Sequence, residues 1–391
     1  MRAIIIVIDS FGIGALPDAK NYGDNGSNTA LHICETIKGE KWKVLNKLGL
    51  GNTSIILGNE LPGCGAVSNP LASYGVMKEK SPGKDTTTGH WEIAGLELET
   101  AFTTFPPEYP SFPQKLLENF TLATGKEVIG NKSASGTVII EELGREHMET
   151  GKLIVYTSGD SVLQIAAHED VVSVEELYNI CAKARDLCDQ YNVGRVIARP
   201  FIGKPGNFTR TSSRHDYSIN YTGETIFDFL QKKNVNTVGV GKIGDIFLER
   251  GINDSYHDKG NDACIKRTEE LLSKPAKENE FIFINYVDTD MLYGHRRNPQ
   301  GYYDEVEKID KHLDNLLQVL RKDELLIVTA DHGCDPTFKG TDHTREYIPL
   351  LCYQKNSIPA NLGIRDQFSD ISASIAKFFD LPEYPRGVSF L

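Results

Sequence analysis

Five stretches of this chain are mainly apolar and about as long as a strand, at 4–8, 235–240, 281–287, 325–328 and 348–352. Runs of this length, bounded by turn residues, read as strands buried on both faces. Between them the apolar spacing becomes helical. Val306, Ile309, Leu313, Leu316, Leu317 and Leu320 form one stripe of a long amphipathic helix. Shorter helices are expected at 30–37, 224–233, 245–250, 262–272 and 371–379. Strands alternating with helices predict a parallel sheet.

The middle of the chain has a different texture. Pro106, Pro107, Pro110 and Pro113 cluster as in a linker. A helix follows at 136–148, with strands at 153–157, 162–166 and 193–197. Over 173–190 the residues Val174, Leu177, Cys181, Ala184 and Cys188 share one helical face. A loop is expected over 198–216. The predicted organisation is a discontinuous core, 1–99 plus 221–391, with a smaller α/β domain inserted at 100–220.

Composition narrows the function. The 391 residues carry a net charge of −12, which argues against nucleic acid as a partner, since that needs a basic footprint. The seven cysteines are odd in number and lack a CxxC pair, so a reducing compartment is expected rather than a disulfide framework. No run is long enough for a membrane span or a secretory signal core, and a cytoplasmic protein is expected.

Candidate chemistry lies at the ends of the apolar runs. The first ends in Asp9. The run at 281–287 ends in Asp288 and Asp290, with His295 beyond. The run at 325–328 leads to Asp331 and His332, and a loop then reaches Asp342 and His343. Ligands of open α/β sheets bind outside the carboxyl ends of the strands. Three separate strands delivering carboxylates and imidazoles to one edge predict a site for more than one cation. Such O/N donors suit ions of manganese or zinc type, and a two-cation clamp suits phosphoryl or sulfuryl transfer. Spacing alone leaves Asp288 and Asp290 as alternatives.

Two further features bear on that chemistry. In SPGKDTTTGHWEIAG, 81–95, three threonines either cap a helix beginning near His90 or supply a nucleophilic hydroxyl. From 194 to 215 the charged residues are Arg195, Arg199, Lys204, Arg210 and Arg214, with no acid before Asp216. Guanidinium groups suit phosphate.

The segments VIDSFGIG, GKDTTTGHWE, VDTDMLYGHRR, TADHGCDP and GTDHTREY occur in this order. With YTSGDSVLQIAAHE and VGRVIARPF in the insert, they resemble the alkaline phosphatase superfamily, and within it the bacterial mutases of pentose phosphates. The resemblance spans essentially the whole chain. It implies an alkaline-phosphatase-like core of parallel sheet and helices, with the insert as a mobile cap. It implies an isomerase interconverting ribose 1-phosphate, or its 2-deoxy form, with the 5-phosphate through a pentose 1,5-bisphosphate. Two Mn²⁺ ions are implied, with glucose 1,6-bisphosphate or a pentose 1,5-bisphosphate as activator. Thr86 falls on the phosphorylated position. Asp9, Asp331 and His332, with Thr86, match the ligands of one metal; Asp290, His295 and His343 match those of the other. Ser158, Asp160, Arg195, Arg210 and Lys242 match positions that hold the sugar phosphate. The implied partner is this small-molecule substrate, with no obligate protein partner. A hydrolase using the same metals and threonine is the nearest alternative. The large insert and its basic segment favour transfer between sugar hydroxyls.

Overall fold

The run at 4–8 becomes the strand Arg2–Ile8, buried along its whole length. Full burial of each isoleucine here is worth roughly 1.5–3 kcal/mol. Its neighbours are Glu280–Tyr286 on one side and Glu324–Thr329 on the other, both parallel to it. The register pairs Arg2 with Glu280 and with Glu324. Arg2 is itself buried, and its guanidinium lies 2.5 Å from Glu280 and 3.0 Å from Glu324. This charge clamp closes the amino ends of the three strands. A slip of one residue would break it and leave buried charge unpaired. The same register sets the three carboxyl ends side by side.

The computed structural model describes residues 1–159, 161–276 and 278–391. These form two compact units, Met1–Ala101 with Thr222–Leu391, and Phe102–Tyr221. The larger unit holds an eight-stranded sheet. Its order is Asp254–Tyr256, Asn236–Val240, Glu280–Tyr286, Arg2–Ile8, Glu324–Thr329, Ile348–Gln354, Ser73–Met77 and Asn361–Arg365. The expectation of a parallel sheet fails at one strand. Ile348–Gln354 is antiparallel to both neighbours. No helix lies between it and Glu324–Thr329, so the chain turns back as a hairpin does, whereas a parallel return needs a crossover. The amphipathic stripe forms the helix Pro299–Val319, capped by Asn298 and burying Tyr302, Val306, Ile309, Leu313 and Leu316.

The smaller unit has its own sheet, with Val128–Ser133, Leu153–Thr157, Val162–His168, Arg195–Lys204 and Asn207–Arg210 in that order. His215–Ser218 also pairs with Arg195–Lys204. Side chains alternate between its faces. Leu153, Val155, Leu163 and Ile165 pack with Phe112, Leu116, Phe120 and Leu177. Ile154, Tyr156 and Ala166 pack with Ile139, Ile140, Phe201 and Phe208. Helices Gln114–Thr124 and Val174–Asp189 serve the first cluster, and Gly136–Thr150 the second. Two expectations are corrected here. The proline-rich stretch, within the expected insert but read as a linker, is packed instead, with Phe105 and Phe112 in the core. The expected loop over 198–216 is largely strand, because Val196, Ala198, Phe201 and Phe208 bury apolar side chains between the charged positions.

Candidate metal centre

Asp9, Asp290, Asp331 and His332 follow directly from the three central strands, and each is buried. His332 Nε2 lies 3.4 Å from Asp9 Oδ1 and 3.3 Å from Asp331 Oδ2. Asp290 Oδ1 lies 3.3 Å from His343 Nε2, and its Oδ2 lies 3.3 Å from His295 Nε2. Ring centres of His332 and His343 are 4.1 Å apart, and those of His343 and His295 are 4.6 Å apart. All six predicted donors therefore form one continuous cluster. Donor atoms of Asp9, Asp331 and His332 fall within 4.8 Å of one another, as do those of Asp290, His332 and His343.

The Asp290–His295 spacing has a local cause. Thr289–Gly294 is a π-helical turn, closed by the His295 amide donating to the Asp290 carbonyl at 3.2 Å. A π turn joins residues five apart, which an α-helix does not. Asp288 takes another part. Its Oδ2 accepts from the Asn261 amide at 2.7 Å, at the start of the helix Asn261–Leu272.

Each carboxylate of the Asp9 group has one oxygen held by an amide N–H. Asp9 Oδ2 accepts from Asn285 Nδ2 at 2.8 Å, and Asp331 Oδ1 accepts from the Ser10 amide at 3.0 Å. Asp9 Oδ1 and Asp290 Oδ1 are buried without a hydrogen-bond partner, and Asp331 Oδ2 meets only the ring nitrogens of His90 at 3.1 Å and His332 at 3.3 Å. Buried charge is costly unless paired or bound to metal. The imidazoles fit the same purpose. His332 Nδ1 lies 3.0 Å from the Gly333 carbonyl and His295 Nδ1 lies 2.7 Å from the Thr341 carbonyl. A proton assigned to each Nδ1 leaves Nε2 as a lone pair aimed at the carboxylates, as in metal-bound histidines. Bare lone pairs facing one another repel, so this arrangement calls for a cation among them.

Electrostatics agree with that. Burial, with the charges of Asp331 and Asp290, raises the Asp9 carboxyl well above the usual range, against Lys242 and Asn285. Burial also opposes ionisation of Asp290, but with no cation between them the charged rings of His295 and His343 outweigh it and hold that carboxyl well below the ordinary value, while Asp290 raises His295 against its burial; a bound cation takes the place of those ring protons. Burial keeps His332 low. Lys242, just past the strand Asn236–Val240, is thus felt at the centre.

Thr86 enters this cluster on a helix. The threonines do not cap a helix near His90. The helix is Thr86–Ile93, and Asp85 is its cap, accepting from the amides of Thr87 at 3.0 Å and Thr88 at 3.2 Å. Thr88 Oγ1 donates to the same carboxylate at 2.6 Å. The Thr86 hydroxyl is therefore spared from capping and sits 3.2 Å from His332 Nε2. Gly89 is required for this approach. A methyl there would meet the Asp331 carbonyl oxygen at 2.3 Å. Asp85→Ala is expected to cost roughly 1–2 kcal/mol, read as a lower urea midpoint, and to lower activity further by loosening Thr86. An unchanged midpoint would contradict the capping account.

Several supporting residues carried no signal in the sequence. His90 is buried with Nδ1 2.9 Å from the Thr86 carbonyl and 3.1 Å from Asp331 Oδ2. Its Nε2 lies 3.2 Å from Asn285 Nδ2, the group that also holds Asp9. Arg345 is buried and donates to Glu79, to the Ser81 and Gly83 carbonyls, and to Asp18. It ties the loop before Thr86 to the segment carrying His343. Ser10 adopts φ 66°, a left-handed conformation costing a non-glycine residue about 1 kcal/mol. That turn aims its amide at Asp331. Among the sequence-predicted residues, Ser158, Arg195 and Arg210 belong to the smaller unit. Ser158 Oγ lies 3.5 Å from Gln164 Nε2, and Arg195 lies 3.5 Å from Asp216. Asp160 lies outside the described residues.

Comparison with known proteins gives one consistent picture. The family described as the metalloenzyme superfamily matches residues 1–383. The chain is 51% identical over 383 residues to the phosphopentomutase of Carboxydothermus hydrogenoformans, covering 97% of this chain and 96% of that one. It is 50% identical over 392 residues to the phosphopentomutase of Caldanaerobacter subterraneus subsp. tengcongensis, covering 100% and 97%. The phosphopentomutase of Alkaliphilus oremlandii is 48% identical over 391 residues, covering 100% and 98%. The donor set is that of a divalent-metal centre.

Proposed function

We propose, since this chain belongs to the metalloenzyme superfamily and within it to the phosphopentomutases, that it is an isomerase moving a phosphoryl group between the 1- and 5-hydroxyls of ribose or 2-deoxyribose. The observation that carries the reading is the Thr86 hydroxyl, 3.2 Å from His332 Nε2 and buried among metal-type donors. Asp9, Asp331, His332 and Thr86 are the proposed ligands of one cation, and Asp290, His295 and His343 those of another, with manganese as the proposed metal. Bound divalent cations supply positive charge to the transferring phosphoryl oxygens and favour ionised threonine.

The rest is the work of the chain. Thr86 carries the phosphoryl group between two half-reactions. In the first, the Thr86 Oγ–P bond breaks as the free hydroxyl of the pentose phosphate bonds to phosphorus, giving the 1,5-bisphosphate. In the second, the other phosphate returns to Thr86. Glucose 1,6-bisphosphate or a pentose 1,5-bisphosphate loads the threonine at the outset. Burial of Thr86 withholds water, which separates transfer from hydrolysis. Residues 100–220 are proposed as the cap, with Ser158, Asp160, Arg195 and Arg210 there, and Lys242 in the core, holding the sugar phosphate. All seven cysteines are free thiols, which suits a reducing compartment, and the cytoplasm is the proposed location. Among the described residues no helix is long and apolar enough to cross a membrane.

Phosphorus NMR tests the reaction. With Mn²⁺ and a trace of glucose 1,6-bisphosphate, ribose 1-phosphate is expected to convert to ribose 5-phosphate with little free phosphate. Stoichiometric inorganic phosphate would mean a hydrolase instead.

A further inference from the structure

One buried carboxylate beside the metal donors is not among them. Glu346 is 1% exposed. Its Oε1 accepts from the Thr344 hydroxyl at 2.7 Å and the Thr29 hydroxyl at 2.9 Å. Its Oε2 accepts from the Thr29 amide at 2.9 Å and the Gly14 amide at 3.2 Å. All four donors are neutral, so the number and direction of these bonds offset the cost of burying the carboxylate.

The carboxylate joins three separate stretches of chain, and each carries a metal donor. Thr344 follows His343. Gly14 lies in the turn after Asp9, and Thr29 opens the helix Thr29–Thr36 beyond that turn. The stretch with His332 is reached by close packing. A methyl on Gly333, the next residue, would stand 2.5 Å from Glu346 Oε1, and one on Gly12 would stand 2.4 Å from Oε2. Both turns press their backbone against the carboxylate, an approach that only glycine permits. The stretches also bond one another around it. Gly333 and Thr344 exchange backbone hydrogen bonds at 2.7 and 3.0 Å. The Cys334 amide donates to the Ser10 carbonyl at 3.1 Å and to the Thr29 hydroxyl at 3.2 Å.

We propose that Glu346 is a positioning residue of the metal centre. Its carboxylate holds Asp9, His332 and His343 in one arrangement through the backbone turns that carry them, and so sets the affinity for the cations. This role rests on the reading of the cluster as a divalent-metal centre. Groups that orient metal ligands from behind typically change metal affinity or activity 10–100-fold when replaced. Glu346→Gln keeps the size of the side chain but turns an NH₂ group toward one pair of donors, where an acceptor stood.

Titration calorimetry with Mn²⁺ on the full chain, first stripped by a chelator, tests this at a temperature where circular dichroism shows each variant folded. Glu346→Gln is expected to bind Mn²⁺ about tenfold more weakly or worse. Its turnover is expected to rise toward the wild-type value as Mn²⁺ is added, with the Michaelis constant for ribose 1-phosphate unchanged. Thr344→Val removes one donor and keeps the carboxylate, so it is expected to weaken Mn²⁺ binding in the same direction. Thr344→Ser keeps the hydroxyl and is expected to restore it. A purely structural role would lower the melting temperature and leave the Mn²⁺ affinity of the folded variants alone. Wild-type affinity in folded Glu346→Gln would therefore overturn the proposal while leaving the metal centre standing. If Glu346→Gln does not fold, wild-type affinity in Thr344→Val would overturn it equally. A wild-type chain that takes up no Mn²⁺ would remove the metal reading, and this role with it.

Discussion

Thr86→Ala is expected to abolish phosphoryl transfer, by roughly 10⁴-fold or more, because it removes the nucleophile itself. The fold is expected to persist. The helix Thr86–Ile93 is held by the Asp85 cap and by packing of its buried residues, and neither uses the Thr86 hydroxyl. Metal content is expected to stay near the wild-type value, since Asp9, Asp331 and His332 remain. Thr87→Ala is the control. It is buried in the same turn, but it is the Thr86 hydroxyl that sits 3.2 Å from His332. Turnover measured with ribose 1-phosphate for both variants decides between them. Wild-type rates in Thr86→Ala, or a collapse only in Thr87→Ala, would reverse the assignment.

Removing metal is expected to have the next largest effect, on stability as well as on activity. Asp9, Asp290 and Asp331 are buried together, and the charges of the other two raise Asp9. A cation bound only by the folded chain adds about 2.7 kcal/mol of stability at a hundredfold excess over its dissociation constant. A chelator is therefore expected to lower the melting temperature and end turnover, and Mn²⁺ to restore both. Asp331→Asn is expected to lose that metal-dependent gain. Protons compete for the same donors, so metal affinity is expected to fall as the solution is acidified. A melting temperature indifferent to chelator and to Mn²⁺ would contradict the metal centre.

The site was legible because its strands were. Apolar runs leading to Asp9, to Asp288 and Asp290, and to Asp331 locate the edge before any coordinates, since parallel strands deliver ligands at their carboxyl ends, and only the family resemblance selects Asp290 over Asp288. Other parts were hidden for physical reasons. The spacing of Asp290 and His295 makes sense only once a π turn is seen, and π turns leave no mark in apolar periodicity. Asp85 was overshadowed as a cap by three threonines, any of which has the chemistry to cap a helix. The reversed strand Ile348–Gln354 reads like its parallel neighbours, because burial on both faces gives the same apolar run in either direction. His90, Asn285 and Arg345 act through contacts with residues far away in the chain, and spacing carries no trace of such contacts. In the smaller unit, helix and strand periods were readable, but charged side chains alternating with buried ones over 198–216 passed for a loop.

Phosphopeptide mapping of the enzyme trapped after exposure to glucose 1,6-bisphosphate and Mn²⁺ tests directly whether Thr86 carries the phosphoryl group. A single phosphate is expected on Thr86, discharged when ribose 5-phosphate is added and leaving a pentose bisphosphate behind. Phosphate on Thr87 or on another residue, or a label lost only as inorganic phosphate, would contradict it.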